Sequence, residues 1–304
     1  MTETSSKGVL RSITVMFLFV GLVGIWMGGC GNQTSEQKVE RLIKKLQHEN
    51  PEVRVNAAEA LGLIGEGAKD AVPALIQALQ DQNKDVRWNA VEALRRIGSL
   101  DTVSALIQVL QDADSDVRSI AAVALGEKGP EAKDAVPDLI QLLQDKDYNV
   151  RGDAAQALGK IGEDAVPALI QALQDKDANV RGNAVLALGS IEKGAIDAVP
   201  ALIQALQDQD KSVRVYAARA LERIGAKDAV PALIQALQDP NEDVRMNAAR
   251  ALGSIGEDAI DAVPALIQVL QDSNEWVCKG VAKALGSIGT PEALKAVKEY
   301  ESRQ

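Results

Sequence analysis

A block of twelve residues, Asp-Ala-Val-Pro-Ala-Leu-Ile-Gln-Ala-Leu-Gln-Asp, occurs four times without change in this chain, at 70–81, 164–175, 197–208 and 228–239. Similar blocks begin at three further aspartates, Asp101, Asp134 and Asp261. A second motif follows each block and also occurs once before the first block; seven of its eight copies carry a Val-Arg pair, and the eighth reads Val277-Cys278. The copies are 33, 31, 33, 30, 33, 31 and 33 residues apart. Such a period predicts stacked supersecondary units, so the functional question concerns a surface rather than a catalytic cleft.

The segment 70–98 indicates how one unit folds. Pro73 falls in the first turn of a helix, where its missing N–H is not needed, and Asp70 is suited to cap or complement the N-terminal dipole. Apolar residues recur at helical spacing and predict two helices, with Val72, Leu75, Ile76 and Leu79 inside the first and Val86, Ala90, Leu94 and Ile97 inside the second. A polar turn joins the helices, and Gly98 ends the second. Neither helix can bury its apolar face alone, so each hairpin must stack on its neighbours.

An aspartate and an arginine recur six residues apart in six of the units. We expect a ladder across the turns, in which each guanidinium joins a carboxylate of its own or the next repeat and fixes the stacking angle. The pairs are Asp81/Arg87, Asp112/Arg118, Asp145/Arg151, Asp175/Arg181, Asp208/Arg214 and Asp239/Arg245. His48 takes the aspartate place in the first repeat and Cys278 the arginine place in the eighth. The ladder is therefore predicted to break only at its ends, where a repeat lacks one neighbour.

The pattern Pro-x-Leu-Ile-x-x-Leu, a turn with Asp, then Val-Arg-x-x-Ala-x-x-Ala-Leu-Gly-x-Ile-Gly resembles HEAT repeats of the short, phycobilisome-lyase type. The Val-Arg pair and the proline argue against tetratricopeptide and ankyrin units. The resemblance implies an all-α fold over 36–304, a right-handed α-solenoid of about eight helical hairpins with a C-terminal capping helix. The repeats are expected near 36–66, 68–98, 101–129, 132–162, 163–192, 196–225, 226–256 and 259–289, with the cap at 290–304.

The N-terminus has the layout of a secretory signal peptide over residues 1–29. Lys7 and Arg11 precede an uncharged, largely apolar run that ends in small residues. The sequence Met27-Gly28-Gly29-Cys30 resembles the lipobox of bacterial lipoproteins, which implies acylation of Cys30, with 30–35 as a short tether. An uncleaved signal anchor is the alternative. Either interpretation predicts a membrane-anchored, exported protein with its repeats on the periplasmic or outer-surface side.

Composition limits the classes of partner. The chain of 304 residues carries a net charge of −10, which disfavours binding to the nucleic-acid backbone. Hydrophobic residues make up 46% of the chain but aromatic residues only 3%, so the predicted core is aliphatic. The two cysteines, Cys30 and Cys278, lie near opposite ends and exclude a framework of disulfides. No small-molecule substrate is evident.

Candidate catalytic and metal sites are weak. Deoxyhypusine hydroxylases, which resemble this chain in having HEAT-like repeats, bind iron through several His-Glu pairs, whereas His48-Glu49 is a single pair. Asp112, Asp114 and Asp116 imitate the start of a calcium loop, but the glycine and the bidentate glutamate are missing, so we expect a solvated turn with Asp116 as a helix cap. One histidine cannot supply a nucleophile–base constellation. We expect no catalysis, metal or cofactor.

The second helices vary outside their core, and the resemblance places them on the concave face of the solenoid. Along one stripe the residues change from acidic, through apolar, to basic toward the C-terminus. Large side chains and exposed cations are typical of protein-binding sites. The candidate protein-binding residues are Trp88, Asn89, Tyr216, Arg219, Met246, Arg250 and Lys283. Drift on a solvated helix face is the alternative, and for Trp276 packing against the C-terminal helix is favoured over a surface anchor.

These observations predict a membrane-tethered scaffold that binds one or more proteins and has no catalysis of its own. The alternative is a lyase-type subunit, of the kind that phycobilisome-lyase HEAT proteins exemplify, that holds a substrate protein. A third interpretation is a structural spacer in an envelope assembly.

Overall fold

The computed structural model describes residues 34–303, which form helices and turns without a strand. Eight helical hairpins follow one another and a single helix, α17 (Pro291–Glu301), closes the array. The first helices of the hairpins are α1 (Ser35–Lys45), α3 (Val72–Ala78), α5 (Val103–Val109), α7 (Val136–Leu142), α9 (Val166–Ala172), α11 (Val199–Ala205), α13 (Val230–Ala236) and α15 (Val263–Val269). The second helices are α2 (Pro51–Ile64), α4 (Lys84–Ile97), α6 (Ser115–Lys128), α8 (Tyr148–Ile161), α10 (Ala178–Ile191), α12 (Lys211–Ile224), α14 (Glu242–Ile255) and α16 (Glu275–Ile288).

The predicted all-α stack of hairpins is thus confirmed. None of the helices in 34–303 is both long and apolar enough to cross a membrane. The predicted signal peptide and the lipobox cysteine, Cys30, lie outside the described residues.

One aliphatic core runs through the array because each hairpin covers the apolar face of the next. In the second repeat Val86, Ala90, Leu94 and Ile97 are at most 1% exposed, as their helical spacing predicts. In the first helix of that repeat Leu75 is fully buried and Ile76 is half-buried at the edge of the core.

An asparagine or aspartate side chain caps the N-terminus of the second helix in each hairpin. Each accepts a hydrogen bond from a backbone N–H in the first turn, which satisfies a donor that the helix leaves free. Asp114 does this for α6, by accepting from the N–H of Asp116, so the expectation that Asp116 is the cap was wrong. Asp70 does not cap α3 either, because it lies in a 3-10 turn and the residue at the helix start, Ala71, has no side chain that can cap.

The connections between hairpins alternate in length. Seven-residue 3-10 segments follow the odd-numbered repeats: Gly65–Ala71, Gly129–Ala135, Glu192–Ala198 and Gly256–Ala262. Three-residue segments follow the even-numbered repeats: Leu100–Thr102, Glu163–Ala165 and Lys227–Ala229. This alternation explains why the sequence steps of 33 residues alternate with steps of 30 or 31.

The second helices alternate in their packing as well. A Cβ atom on Gly126 would lie 2.8 Å from the Cα of Ala157 in the next repeat, and one on Gly253 would lie 2.7 Å from the Cα of Ala284. Gly62 and Gly189 approach the alanines of the next repeats in the same way. All four glycines belong to odd-numbered repeats, so close contacts join repeats one to two, three to four, five to six and seven to eight. We call the four pairs of repeats that these glycine–alanine contacts join the two-repeat blocks, over 35–97, 103–161, 166–224 and 230–288; all four belong to one compact unit.

The odd-numbered second helices end at a residue with positive φ and with ψ near −130°. Glycine occupies this place in three repeats, for example Gly256 at φ 70° and ψ −132°. Glu192 occupies it in the fifth repeat, at φ 56° and ψ −129°. A side chain destabilises this backbone conformation because its Cβ clashes with the backbone, so Glu192 is a strained position.

We predict that Glu192→Gly stabilises the protein by about 1 kcal/mol, because glycine adopts this conformation without strain. The measurement is the midpoint of urea unfolding. Glu192→Ala is the matched control, since it also removes the exposed contact between Glu192 and Arg223 but keeps a Cβ at positive φ. An equal gain from alanine and glycine would contradict the assignment of strain.

Candidate protein-binding face

The second helices pack side by side along the whole array, whereas the first helices make few contacts with one another. The second helices therefore form one continuous row of the stack. Their solvent-exposed side, which we call the second-helix face, carries every residue of the predicted binding stripe.

The Arg–Asp ladder fixes how the second helices stack. Each arginine donates Nε to the aspartate of the next repeat at 2.6–2.7 Å: Arg54–Asp81, Arg87–Asp112, Arg118–Asp145, Arg181–Asp208, Arg214–Asp239 and Arg245–Asp272. The second arm of the fork, Nη2, donates to the other carboxylate oxygen, and Nη1 donates to backbone carbonyls in the turn of the arginine's own repeat. One guanidinium thus joins two repeats, and the partner carboxylate belongs to the following repeat rather than to its own.

Four carboxylates of the ladder, those of Asp81, Asp145, Asp208 and Asp272, are stabilised in their charged form. The hydrogen bond from the Arg181 guanidinium lowers the pKa of Asp208, and that from Arg245 lowers the pKa of Asp272, in each case against partial burial, which raises it. Arg118 and Asp145 form the most buried pair, with side chains 8% and 9% exposed.

The ladder breaks at an internal step, so the expectation that it breaks only at its ends was wrong. Arg151 donates Nη1 to the carbonyls of Asp145 and Lys146, but no carboxylate of the described residues pairs with it. The expected acceptor, Asp175, instead accepts from the N–H of Asp177 and the amide of Gln144. We call this step, between α8 and α10, the central seam.

A difference in register explains the missing pair. The step from the fourth to the fifth repeat is the shortest, at 30 residues. A Cβ on Gly159 would lie 2.8 Å from the Cβ of Ser190, whereas the glycines of the odd repeats approach an alanine one turn earlier in the next helix. The fifth repeat is therefore shifted along the fourth, and Asp175 does not reach the Arg151 fork.

The end repeats depart from the ladder as their sequence predicts. Nδ1 of His48 accepts the backbone N–H of Asn50, while Arg54 donates to the carbonyl of His48. Cys278 takes over one bond of the missing arginine, since its thiol donates to the carbonyl of Asp272. Burial raises the pKa of Cys278, and the nearby Asp272 carboxylate adds to this, which disfavours the reactive thiolate.

We predict that Arg118→Gln lowers the free energy of unfolding by about 2 kcal/mol more than Arg151→Gln. Both arginines donate to carbonyls of their own turn, but only Arg118 also pairs with a carboxylate, so the difference isolates one rung of the ladder. Urea unfolding of both variants measures it. Equal losses would show that the carboxylate contact contributes nothing to the stacking.

The basic end of the stripe is partly engaged in contacts between repeats. Arg219 donates Nε to the amide oxygen of Asn247 at 3.0 Å, and Arg250 donates Nε to Glu222 at 2.8 Å. These two contacts brace α12 against α14. Arg250 remains 66% exposed, and Lys283 is exposed with no partner among the described residues.

The other predicted stripe residues lie in separate grooves. Trp88 is half-buried in a groove between α4 and α6, and the amide of the adjacent Asn89 donates to a carbonyl of its own helix. Tyr216 lies in a second groove across α8, α10 and α12. Met246, Arg250 and Lys283 line a third groove between α14 and α16. The stripe is thus three local grooves rather than one continuous surface.

The exposure of two aromatic residues differs from what the sequence predicts. Trp276 was expected to pack against the C-terminal helix, but it is 72% exposed, with the ammonium of Lys279 5.3 Å from the ring centroid. Tyr148, which the pattern did not single out, is 73% exposed at the start of α8. Comparison with the other repeats could have found it, because its place holds Lys84, Ser115 or another polar residue in most of them.

Residues 34–303 hold no candidate metal-binding group. No group of three His, Cys, Asp or Glu side chains in this part could hold a metal ion. Asp112 and Asp114 of the apparent calcium loop are engaged, the first by Arg87 and the second by Lys84 and the start of α6.

Burial lowers the pKa of Lys128, whose ammonium donates to the carbonyl of Ser99 and so braces two repeats.

The stacked hairpins and their ladder define an α-solenoid repeat protein. The profile of the HEAT repeats family matches residues 39–126, 103–166, 136–204, 199–261 and 258–302. The chain therefore belongs to the HEAT-repeat family. A crystal structure described as an engineered protein, from the Northeast Structural Genomics Consortium, is 28% identical and covers 87% of this chain and 82% of that one, with a TM-score of 0.48. No curated protein matches the chain in sequence.

Proposed function

We propose that the protein is a membrane-tethered scaffold that holds a partner protein on its second-helix face. The HEAT-repeat fold supports a role in protein interaction, and we propose that this scaffold has no catalysis of its own. No feature of the described residues favours the lyase-type alternative, which would need a bound chromophore to support it.

The groove between α14 and α16 is the observation that carries the proposal. Half-buried Met246 lies at its side, Ala284 at its floor, and Arg250 and Lys283 at its rim. The groove encloses about 480 Å³. An apolar floor with cations at the rim is complementary to a segment that combines an apolar side chain with acidic ones. Arg219 contributes by holding α14 in place through Asn247.

We predict that the double variant Arg250→Glu, Lys283→Glu captures at least tenfold less of the partner protein than the wild type does. The measurement is in-cell crosslinking from a photoreactive residue at Ser254 or Ser287, which line the same groove, followed by mass spectrometry. Charge reversal at the rim repels an acidic segment and leaves the core untouched.

The matched control is Lys69→Glu with Lys133→Glu, which changes the net charge equally in the connections of the first two blocks. Retained capture by the Arg250 and Lys283 variant at physiological salt would exclude this groove as the binding site. Single variants at Arg250 and Lys283 separate a loss of charge from a loss of the contact with Glu222.

The tether is the second part of the proposal, and it rests on the sequence of the leader. An acylated Cys30 would carry several acyl chains, each adding about 0.8 kcal/mol of membrane affinity per buried methylene. Few residues separate Cys30 from α1, so the first block would lie close to the membrane surface.

We predict that Cys30→Ser prevents lipidation, and that mass spectrometry of the mature protein detects this as the absence of an acylated N-terminal peptide. With cleavage of a lipoprotein leader blocked, the uncut precursor should accumulate. Unchanged processing and unchanged membrane affinity in the variant would favour the uncleaved signal anchor.

A further inference from the structure

The central seam carries a groove that differs in character from the one at the basic end. The groove crosses α8, α10 and α12 and encloses about 330 Å³. Tyr148, Leu186 and Tyr216 line it, and Tyr148 and Leu186 are 73% and 41% exposed. Apolar and aromatic surface is thus available to solvent beside the one internal step at which the described ladder is interrupted.

Two glycines keep this groove open. Gly152 and Gly182 directly follow the arginine of the Val-Arg motif, where other repeats carry side chains such as Val55, Trp88 and Met246. A Cβ on Gly152 would meet no atom within 4 Å, and one on Gly182 would make only an ordinary contact with the Tyr216 ring at 3.7 Å. Neither glycine has positive φ, so neither packing nor backbone conformation requires them. Glycine destabilises a helix interior relative to alanine. The seam therefore retains free space at the expense of helix stability.

Arg151 brings an unused guanidinium fork to the same groove. Its Nη1 is held by two carbonyls of its own turn, as in the other repeats, whereas Nε and Nη2 have no acceptor within 34–303. In the six intact rungs those two nitrogens bind a carboxylate, with Nε–O distances of 2.6–2.7 Å. The turn thus holds Arg151 by the same two carbonyl hydrogen bonds that orient the arginine in the intact rungs.

The acidic side chains around the groove are already engaged. Asp147, Asp177 and Asp210 accept the backbone N–H groups that begin α8, α10 and α12. Asp175 accepts from Asp177 and Gln144. Arg151 is consequently a cation without a carboxylate partner, so its charge is complementary to an acidic ligand.

We propose that this groove binds an acidic peptide segment of a partner protein, with one carboxylate of the segment filling the vacant rung at Arg151. A neighbouring apolar side chain of the segment packs on Tyr148, Leu186 and Tyr216. Tyrosine and arginine are the residue types on which such interfaces depend most. The proposal rests on the scaffold function but assigns a different site and a specific contact.

The experiment selects ligands from a displayed library of random twelve-residue peptides on the full chain, purified in detergent. Fluorescence polarisation then measures the affinity of the best peptides. We expect these peptides to contain an essential Asp or Glu. Changing that residue to its amide and changing Arg151→Gln should each weaken binding at least tenfold, and the two changes together should weaken it no further than either alone.

Two variants separate binding from folding. Arg151→Lys keeps the charge but loses the fork, so it should recover only part of the affinity. Gly152→Leu fills the groove and should abolish binding while raising helix propensity, so a loss of binding there cannot come from unfolding. Urea unfolding of each variant verifies that the array stays folded.

Peptides that lack an acidic residue, or that bind Arg151→Gln as tightly as wild type, would overturn the proposal. The Arg250→Glu, Lys283→Glu variant distinguishes it from the scaffold proposal. Peptide binding that depends on Arg250 and Lys283 but not on Arg151 would refute the central site and support the groove at the basic end. Selected peptides that are insensitive to both sets of variants would refute both sites.

Discussion

The array depends on the bidentate contact between an arginine of one repeat and an aspartate of the next. Hydrophobic burial drives the hairpins together, but aliphatic surfaces of Leu, Val and Ala can slide along one another at little cost. A fork that binds two carboxylate oxygens and the carbonyls of its own turn permits one register only. The central seam shows the converse, because the helices are shifted there and the contact between Arg151 and Asp175 is absent.

A second constraint is superimposed on the ladder. Odd-numbered repeats place a glycine against an alanine of the next helix, whereas the second and sixth repeats carry Arg95 and Glu222 at the equivalent place, and Gly159 of the fourth approaches Ser190 instead of an alanine. Close backbone approach and long connections therefore coincide at alternate steps. At two of the looser steps, ion pairs and amide contacts between second helices compensate, as with Arg95–Glu127 and Arg250–Glu222. At the third looser step, the central seam, no ion pair among the described residues joins the fourth and fifth repeats.

Much of the fold follows from the sequence, and the reasons are local. Helical spacing of apolar residues identifies the hairpins and their cores, and the arginines and aspartates identify the ladder. The register between neighbouring helices depends on packing across repeats and is not a local property. The step from the fourth to the fifth repeat is one residue shorter than the other short steps, but this alone does not predict that Arg151 lacks a carboxylate partner. The cap of α6 was assigned to Asp116 instead of Asp114 because three aspartates alternate in one turn. The exposure of Trp276 depends on where α17 lies, which no spacing within the last repeat determines.

The close glycine contacts also indicate which unit of the chain a gene duplication would have to copy. Gly62, Gly126, Gly189 and Gly253 are separated by 64, 63 and 64 residues. Inserting or deleting a single hairpin would place two seven-residue or two three-residue connections in succession and so break their alternation. A pair of hairpins can be added or removed without this conflict. The length of such an array should therefore change during evolution in steps of two repeats, with the pair as the heritable module.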